Sequence, residues 1–190
     1  MHKLVHLDCS LRDGGYYNNW DFSEKLINNY LKVLESVNVE YSEIGFRFKK
    51  NSGFRGACAF TSEEFLNSLD IPENLKIAIM INANDFIENK KFNEKRLKEI
   101  VPVRANFSKV NLIRVACHIE AIEYITPLFD FLSDYGYKTA CNITKASEKS
   151  SQEIDKISSI LSSSKVNIVY FADSLGSLTP NQINQITKSI

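Results

Sequence analysis

The chain has 190 residues, of which 23 are basic and 23 acidic, so its formal net charge at pH 7 is zero. This balance argues against a nucleic-acid or membrane-surface ligand, because binding either one needs a basic excess on one face. Apolar residues make up 44% of the sequence. No apolar run approaches the ~20 residues of a membrane helix, and no apolar leader precedes the first predicted strand, so we expect a globular cytoplasmic protein.

Short runs of β-branched and aromatic residues predict six buried strands. They cover residues 4–7, 41–46, 76–81, 110–115, 138–143 and 166–171. Between them, apolar residues recur at three- and four-residue steps, most clearly over 26–37, 154–161 and 183–190, which is typical of amphipathic helices. The stretch 84–104 is polar enough to carry only a short helix.

Capping signals support these predicted helices. Residues 61–64 and 150–153 fit the capping box, in which Ser or Thr is followed three residues later by Glu. Thr179 before Pro180 predicts a cap and then a proline in the first turn. Gly136 follows a Leu-rich segment and is a predicted helix end.

The alternation of strands and helices predicts βαβ crossovers and a parallel sheet with six β/α units in one domain, 1–190. A Rossmann-type nucleotide site is not expected, since no G-x-G-x-x-G follows the first strand. The four cysteines form no C-x-x-C pair, so we expect buried thiols and not zinc ligands.

A polar or charged residue lies at or just after the end of every predicted strand. The candidates, in strand order, are Asp8, Arg12 and Asp13; Glu43 and Arg47; Asn82; Arg114, His118 and Glu120; Asn142; and Asp173 and Ser174. Because the carboxyl ends of parallel strands meet at one edge, such residues can line a common site. The alternative is that several of them only cap helices or solvate loops.

That alternative explains Arg12 and Asp13 least well, because they directly follow a predicted strand and precede Gly14 and Gly15. We expect the two glycines to form a turn that aims the neighbouring side chains inward. A carboxylate here suits Mg²⁺ or Mn²⁺, and the adjacent guanidinium can stabilise a carboxylate or a developing oxyanion.

The segment 7–15, LDCSLRDGG, resembles the D-x-T-L-R-D-G signature of the DRE-TIM metallolyases, the HMG-CoA-lyase-like or pyruvate-carboxyltransferase-like family. Residues 171–180 resemble the family's later D-T/S-x-G-x-x-x-P segment, 43–47 its second strand and 114–118 its fourth. The resemblance runs in order over nearly the whole chain and is greatest to 4-hydroxy-2-oxovalerate aldolase-like proteins.

The resemblance implies a TIM (β/α)8-type barrel, a divalent metal (Mn²⁺ or Mg²⁺) and chemistry at a carbon–carbon bond of a 2-oxo acid. It makes Asp13 a metal ligand and Arg12 the residue that stabilises a pyruvate enolate. The pocket would be lined by substrate-binding residues, with His118 as a further acid/base: Glu43, Arg47, Asn82, Arg114, Asn142 and Asp173.

The sequence departs from the family pattern in three ways. The family's H-x-H on strand seven is missing, and the histidines are His2, His6 and His118. A TIM barrel needs roughly 250 residues, so we expect the last two β/α units to be absent. Where family aldolases often have a proton-transferring histidine, the chain has Tyr16 and Tyr17, and Tyr16 becomes the candidate proton relay.

The predicted function is a metal-dependent aldolase or lyase that acts on a small 2-oxo acid. Two alternatives stay open: a Claisen-type acyltransferase, and an inactive partial barrel that binds a partner or a second copy through its open first and sixth strands. A Schiff-base aldolase is disfavoured, because Lys49, Lys50 and Lys145 lie beyond strand ends.

Overall fold

The computed structural model describes residues 4–49, 53–144, 150–173 and 176–188. The strands in these ranges are β1 (Leu7–Asp8), β2 (Tyr41–Phe46), β3 (Lys76–Asn82), β4 (Ile87–Glu88), β5 (Lys91–Phe92), β6 (Val110–Cys117), β7 (Lys138–Ile143) and β8 (Ile168–Phe171). The α-helices are α1 (Ser10–Asn18), α2 (Glu24–Ser36), α3 (Glu63–Ser68), α4 (Glu94–Ile100), α5 (Ile122–Asp134), α6 (Ser151–Ser162) and α7 (Pro180–Lys188). Within the described residues, no helix is both long and apolar enough to cross a bilayer.

Six strands form one sheet in the order β1-β2-β3-β6-β7-β8. The register is parallel between β1 and β2, β2 and β3, and β7 and β8. Each new strand is added beside the preceding one, and helices fill the connections, as repeated βαβ crossovers require. This confirms the predicted α/β class and the six β/α units of a TIM-type barrel.

The first and last strands are shorter than predicted. Strand β1 covers Leu7–Asp8 and not 4–7, and Leu4 and Val5 are exposed. The carbonyl of His6 nevertheless accepts hydrogen bonds from the backbone N–H groups of Glu40 and Tyr41, at 3.2 and 3.1 Å. Strand β8 begins two residues later than predicted, at Ile168. Strands β2 and β7 have the predicted bounds.

The chain divides into two compact units, and unit 1 comprises Met1–Ile81 and Val103–Ile113. Its core forms because α2 repeats apolar residues at helical spacing, and Ile27, Leu31 and Leu34 are buried. Every residue of β2 is buried, including polar Ser42 and Glu43, so this strand is covered on both faces.

Unit 2 comprises Asn82–Pro102 and Arg114–Ile190. Its core is formed largely by α5, which buries Ile125, Leu128 and Leu132 at helical spacing. Helix α5 ends at Asp134, and Gly136 has φ +89°, the left-handed conformation expected of a helix-ending glycine. The predicted helix end at Gly136 is therefore confirmed.

Two of the three predicted helix caps are confirmed. Ser150 and Glu153 form a reciprocal capping box at α6, and the hydroxyl of Thr179 accepts from the backbone N–H of Gln182 at α7. The box predicted over 61–64 is wrong by one residue. Ser62 caps α3, because its hydroxyl accepts from the backbone N–H of Phe65.

The stretch 84–104 contains the predicted short helix, α4, and also a hairpin that the sequence analysis missed. Strands β4 and β5 pair antiparallel, and the two residues between them, Asn89 and Lys90, both have positive φ, +48° and +60°. A two-residue loop with positive φ at both positions is the connection that matches strand twist. The strands are two residues long, too short for a periodic pattern to reveal them.

The cysteines behave largely as expected. Cys58, Cys117 and Cys141 are buried free thiols, and Cys9 is partly exposed. Burial raises the pKa of the Cys58 thiol to about 12, with the charge of Asp21 adding to the effect. The pKa of Cys117 is raised by its hydrogen bond with Cys141 and by burial. Neither thiol has the lowered pKa that a catalytic nucleophile needs.

Candidate active site at the end of strands β1 and β2

Helix α1 starts directly after β1 because Asp8 holds its first turn. The Asp8 carboxylate accepts from the backbone N–H of Ser10 at 3.1 Å and from its hydroxyl at 2.9 Å. A second contact comes from the Tyr30 hydroxyl, which donates to Asp8 at 3.0 Å. With these contacts Asp8 orders the strand-to-helix junction, and Arg12 follows within the first turns of α1.

Gly14 and Gly15 lie inside α1, so the prediction that they form a turn is wrong. Neither glycine has a positive φ. Gly15 is needed for a different reason: a Cβ atom there would lie 1.9 Å from Cδ1 of Trp20. The glycine therefore permits close packing of an indole ring on the helix, and helical geometry sets the direction of Arg12.

Arg12 and Glu43 form an ion pair between α1 and β2. Arg12 Nε donates to a carboxylate oxygen of Glu43, whose side chain is 0% exposed, while that of Arg12 is 13% exposed. Arg12 Nη1 lies 2.6 Å from a carboxylate oxygen of Asp13, and its Cζ lies 5.6 Å from the centre of the Phe46 ring. The structure thus brings together three of the predicted site residues, Arg12, Asp13 and Glu43.

The electrostatics of this cluster favour a permanently charged guanidinium. Burial lowers the pKa of Arg12, but the charges of Glu43 and Asp13 and the hydrogen bond that Arg12 donates to Glu43 outweigh it, and the pKa is raised. Two carboxylates and one guanidinium carry a formal charge of −1 together. An anionic ligand would therefore be attracted here only if a cation reversed that sign.

The described residues do not form a complete site for a divalent metal. They contain no group of three His, Cys, Asp or Glu side chains placed to hold one ion. Asp13 offers an oxygen ligand, since its side chain is 59% exposed, but one of its oxygens already contacts Arg12. Mg²⁺ takes six oxygen ligands, several of which are usually water, and Asp13 would supply one of them.

Tyr16, the predicted proton relay, lies one helical turn after Arg12. The residue is 63% exposed, and its ring meets those of Trp20 and Phe46 edge-on, with centroids 4.9 and 6.1 Å apart. The ring therefore extends the aromatic surface beside Arg12 towards solvent. Its neighbour Tyr17 is almost fully exposed.

An aromatic cluster that the sequence analysis missed supports Arg12. It consists of Trp20, Phe46 and Phe48, with Phe46 stacked on Phe48 at 4.2 Å and Trp20 edge-on to both. Trp20 Nε1 donates to the main-chain carbonyl of Arg12 at 2.9 Å. The available signal was that Trp20 is the sole tryptophan and lies six residues after the R-D-G segment.

Arg47, predicted to bind substrate, is tied to the start of α3. Its Nε donates to the carbonyl of Thr61 at 2.9 Å, and its Nη2 lies 2.6 Å from a carboxylate oxygen of Glu63. Glu63 in turn accepts from the Ser108 hydroxyl at 2.9 Å. Through these contacts Arg47 links the end of β2 to the start of α3 within unit 1. A substrate-binding role for it stays a prediction.

In unit 2, the structure brings Arg114 and Asn142 together. Arg114 is buried, its Nη2 donates to the side-chain oxygen of Asn142 at 3.3 Å, and its Cζ lies 4.8 Å from the centre of the Tyr170 ring. These residues lie on the neighbouring strands β6, β7 and β8. A buried guanidinium with a planar aromatic partner is suited to recognise a carboxylate.

His118 and Asp173 also lie in unit 2. The Nδ1 atom of His118 lies 3.0 Å from the Thr144 hydroxyl, directly after β6. The Asp173 carboxylate accepts from the backbone N–H groups of Ser177 and Leu178, both at 2.9 Å, so it organises the turn before α7. Ser174, the adjacent candidate, lies outside the described residues.

Asn82 is the last residue of β3 and is partly exposed. Its backbone is extended, and its side chain does not cap the short helical turn that follows. The sequence analysis left helix capping open as an alternative for this residue, and the structure does not support that alternative. The roles of Asn82, Asn142, His118 and Asp173 in substrate binding or proton transfer stay predictions.

Neither a protein-family model nor a curated protein matches the sequence. Solved structures do match. The N-terminal domain of a candidate aldolase from Bacteroides vulgatus is 28% identical, with a TM-score of 0.79 over 98% of this chain and 60% of that one. Hydroxymethylglutaryl-CoA lyase from Pseudomonas aeruginosa is 13% identical, with a TM-score of 0.70 over 99% of this chain and 65% of that one.

A third match has a different activity. The carboxyl transferase domain of Rhizobium etli pyruvate carboxylase, solved with pyruvate and biocytin, is 14% identical, with a TM-score of 0.69 over 99% of this chain and 34% of that one. The chain therefore spans less than two thirds of each of these three structures. Together they show that the fold is the one shared by HMG-CoA lyases and this carboxyl transferase.

Proposed function

We propose that this chain carries the arginine-centred part of the active site of a carbon–carbon lyase that acts on 2-oxo acids through an enolate. The observation that carries the proposal is the fixed position of Arg12 between Glu43 and Asp13 after the first parallel strand. The fold shared with lyases, and the R-D-G segment that contains Arg12, support it.

The chemistry needs a donor that is already in place when charge develops. In cleavage of a 4-hydroxy-2-oxo acid, the hydroxyl proton goes to a base and the C3–C4 bond breaks. The electron pair moves onto the 2-oxo oxygen and gives an aldehyde and an enolate, which is then protonated at C3 to pyruvate. A preorganised guanidinium lowers the energy of that enolate without reorganising during the reaction.

Arg12 has donors left for this task. Among the described residues, Glu43 engages its Nε and Asp13 its Nη1, so Nη2 can face a ligand. The two carboxylates fix the plane of the guanidinium, and Phe46 supports its face. Tyr16, in the same unit, is our candidate proton relay, because its exposed phenol lies one helical turn from Arg12.

The divalent metal, Mn²⁺ or Mg²⁺, remains part of the proposal with Asp13 as one ligand. Its support is the −1 charge of the cluster, which a divalent cation would reverse, and the exposed carboxylate of Asp13. Because the described residues supply no complete ligand set, we assign no reaction step to the metal.

The test is release of pyruvate from a 4-hydroxy-2-oxo acid, with and without Mn²⁺, combined with binding of oxalate, a planar dianion that resembles the enolate of pyruvate. The decisive variant is Arg12→Lys, because it keeps the charge facing buried Glu43 but loses the planar fork. We expect turnover to fall by about 10²–10³-fold, the usual cost of one oxyanion donor.

The control is Arg96→Lys, at a partly exposed arginine paired with Glu88, and it should leave both readouts unchanged. Equal turnover in the Arg12→Lys variant and the wild type would refute the role of Arg12. Oxalate binding without pyruvate release would support a binding protein derived from a lyase. Neither release nor binding would refute the proposed function.

A further inference from the structure

Two consecutive residues after α1 have left-handed backbones. Asn19 has φ +58° and Trp20 has φ +59°. Asparagine adopts this conformation readily, but it is unfavourable for a bulky aromatic residue. A strained conformation persists only where the surroundings impose it, and such residues concentrate at functional sites.

Several backbone contacts impose the strain at Trp20. Its N–H donates to the carbonyl of Gly15 at 3.0 Å, and the N–H of Gly56 donates to the carbonyl of Asn19 at 2.9 Å. Gly56 packs so closely that a Cβ atom there would lie 2.4 Å from the carbonyl oxygen of Trp20. The turn is thus held both by its own helix and by the loop that follows β2.

The strained turn directs the indole back onto α1. The Trp20 side chain is only 6% exposed, its Nε1 donates to the carbonyl of Arg12, and its ring lies on Gly15. The same ring is edge-on to Phe46, whose face carries the Arg12 guanidinium. Trp20 therefore contacts the main chain of Arg12 directly. It also supports Phe46, the ring on which the Arg12 side chain lies.

Arg55 closes the other side of the indole. Its Cζ lies 5.7 Å from the centre of the Trp20 ring and 4.7 Å from that of Phe48. A cation over both rings is attracted to them and restricts their motion. Gly15, Gly56 and Arg55 therefore hold Trp20 in place, together with Phe46, which also contacts the Arg12 guanidinium.

We infer that Trp20 is the positioning residue of Arg12, and that the left-handed turn exists to seat the indole beneath it. The inference deepens the proposed function and rests on it only for its catalytic meaning. The geometric claim, that Trp20 fixes the Arg12–Glu43 ion pair, can be tested without any enzymatic activity.

The test is NMR of the arginine Nε–H groups in the full chain, comparing wild type with Trp20→Phe. This variant keeps a ring but loses the N–H that binds the Arg12 carbonyl. We expect hydrogen exchange of the Arg12 Nε–H to accelerate about fivefold, the effect of one lost hydrogen bond. The Nε–H of Arg47, bound to the Thr61 carbonyl in the same unit, is the internal reference and should not change.

The matched control is Ile27→Val, a buried substitution on α2 with a comparable cost in stability. If Trp20 is merely structural, both variants will change Arg12 and Arg47 alike, and the inference fails. An Arg12 Nε–H that exchanges freely in the wild type overturns it as well. Acceleration confined to Arg12 in Trp20→Phe supports it.

Oxalate titration in the presence of Mn²⁺ separates this inference from the proposed function. Trp20 is the single tryptophan, so its fluorescence reports on the Arg12 site directly. If oxalate changes the wild-type emission, and Trp20→Phe weakens oxalate binding measured by calorimetry, both are supported. If the wild type binds no oxalate while Arg12 exchange still depends on Trp20, the proposed function fails and the positioning role stands.

Discussion

The guanidinium of Arg12 is held by the carboxylate of Glu43, a fully buried side chain 31 residues away in the sequence. A buried charge is tolerated in a strand such as β2 only when it is paired. The pair therefore both fixes Arg12 and allows β2 to run through the interior of unit 1, so function and stability depend on the same contact.

We expect Glu43→Ala to lower the free energy of unfolding by on the order of 2–3 kcal/mol. Removing one partner of a buried pair costs about 3–5 kcal/mol, and the loss is smaller here because Arg12 is partly exposed and keeps Asp13. Urea denaturation followed by circular dichroism measures it. Glu64→Ala, at an exposed position on α3, should stay within about 0.5 kcal/mol. Equal stability of the two variants would contradict the pairing.

The two glycines of α1 provide a matched pair of substitutions. Gly15→Ala should destabilise the protein by about 1–3 kcal/mol, because the new methyl group collides with the Trp20 ring. Gly14→Ala should be neutral or stabilise by up to about 1 kcal/mol, since its Cβ would lie 3.6 Å from Phe22 Cζ and alanine favours helix.

Thermal unfolding of both glycine variants measures the difference. From the sequence alone, both glycines are predicted turn residues. The structure instead predicts that alanine destabilises the protein at position 15 and is neutral or stabilising at position 14. Similar melting temperatures in the two variants would show that the indole does not pack on Gly15 as described.

Burial of Cys58 makes stability depend on alkaline pH. Its pKa is raised to about 12 in the folded chain by burial and by Asp21, whereas an unfolded thiol titrates near ~8.5. Below the pKa of the thiol in the unfolded chain, Cys58 is protonated in both states, and the free energy of unfolding keeps its full value. As pH rises above that pKa, only the unfolded state ionises, and stability falls by about 1.4 kcal/mol per pH unit until the folded pKa is reached.

The measurement is urea denaturation between pH 8 and 10 for the wild type and Cys58→Ala. In Cys58→Ala the free energy of unfolding should fall less steeply with pH than in the wild type. Cys117 is present in both proteins, so its effect does not contribute to the difference. Parallel slopes for wild type and Cys58→Ala would mean that the thiol is accessible to water in the folded protein.

Much of the fold was predictable because its signals are local. The apolar β-branched runs predicted the bounds of β2 and β7, and the capping box at Ser150 predicted the start of α6. Strand and turn pieces of two residues, such as β1, β4 and β5, were missed or misplaced, because no periodicity exists over so short a length.

The sequence by itself determined the parallel β/α order and singled out Arg12 and Asp13, because periodicity and an R-D-G segment are properties of neighbouring residues. Only the tertiary structure decided what these residues contact. It placed Gly14 and Gly15 within a helix, tied Arg47 to α3, and set Glu43 and Trp20 around Arg12. Such contacts depend on strand register and on side-chain packing between elements distant in the chain, which local sequence patterns do not encode.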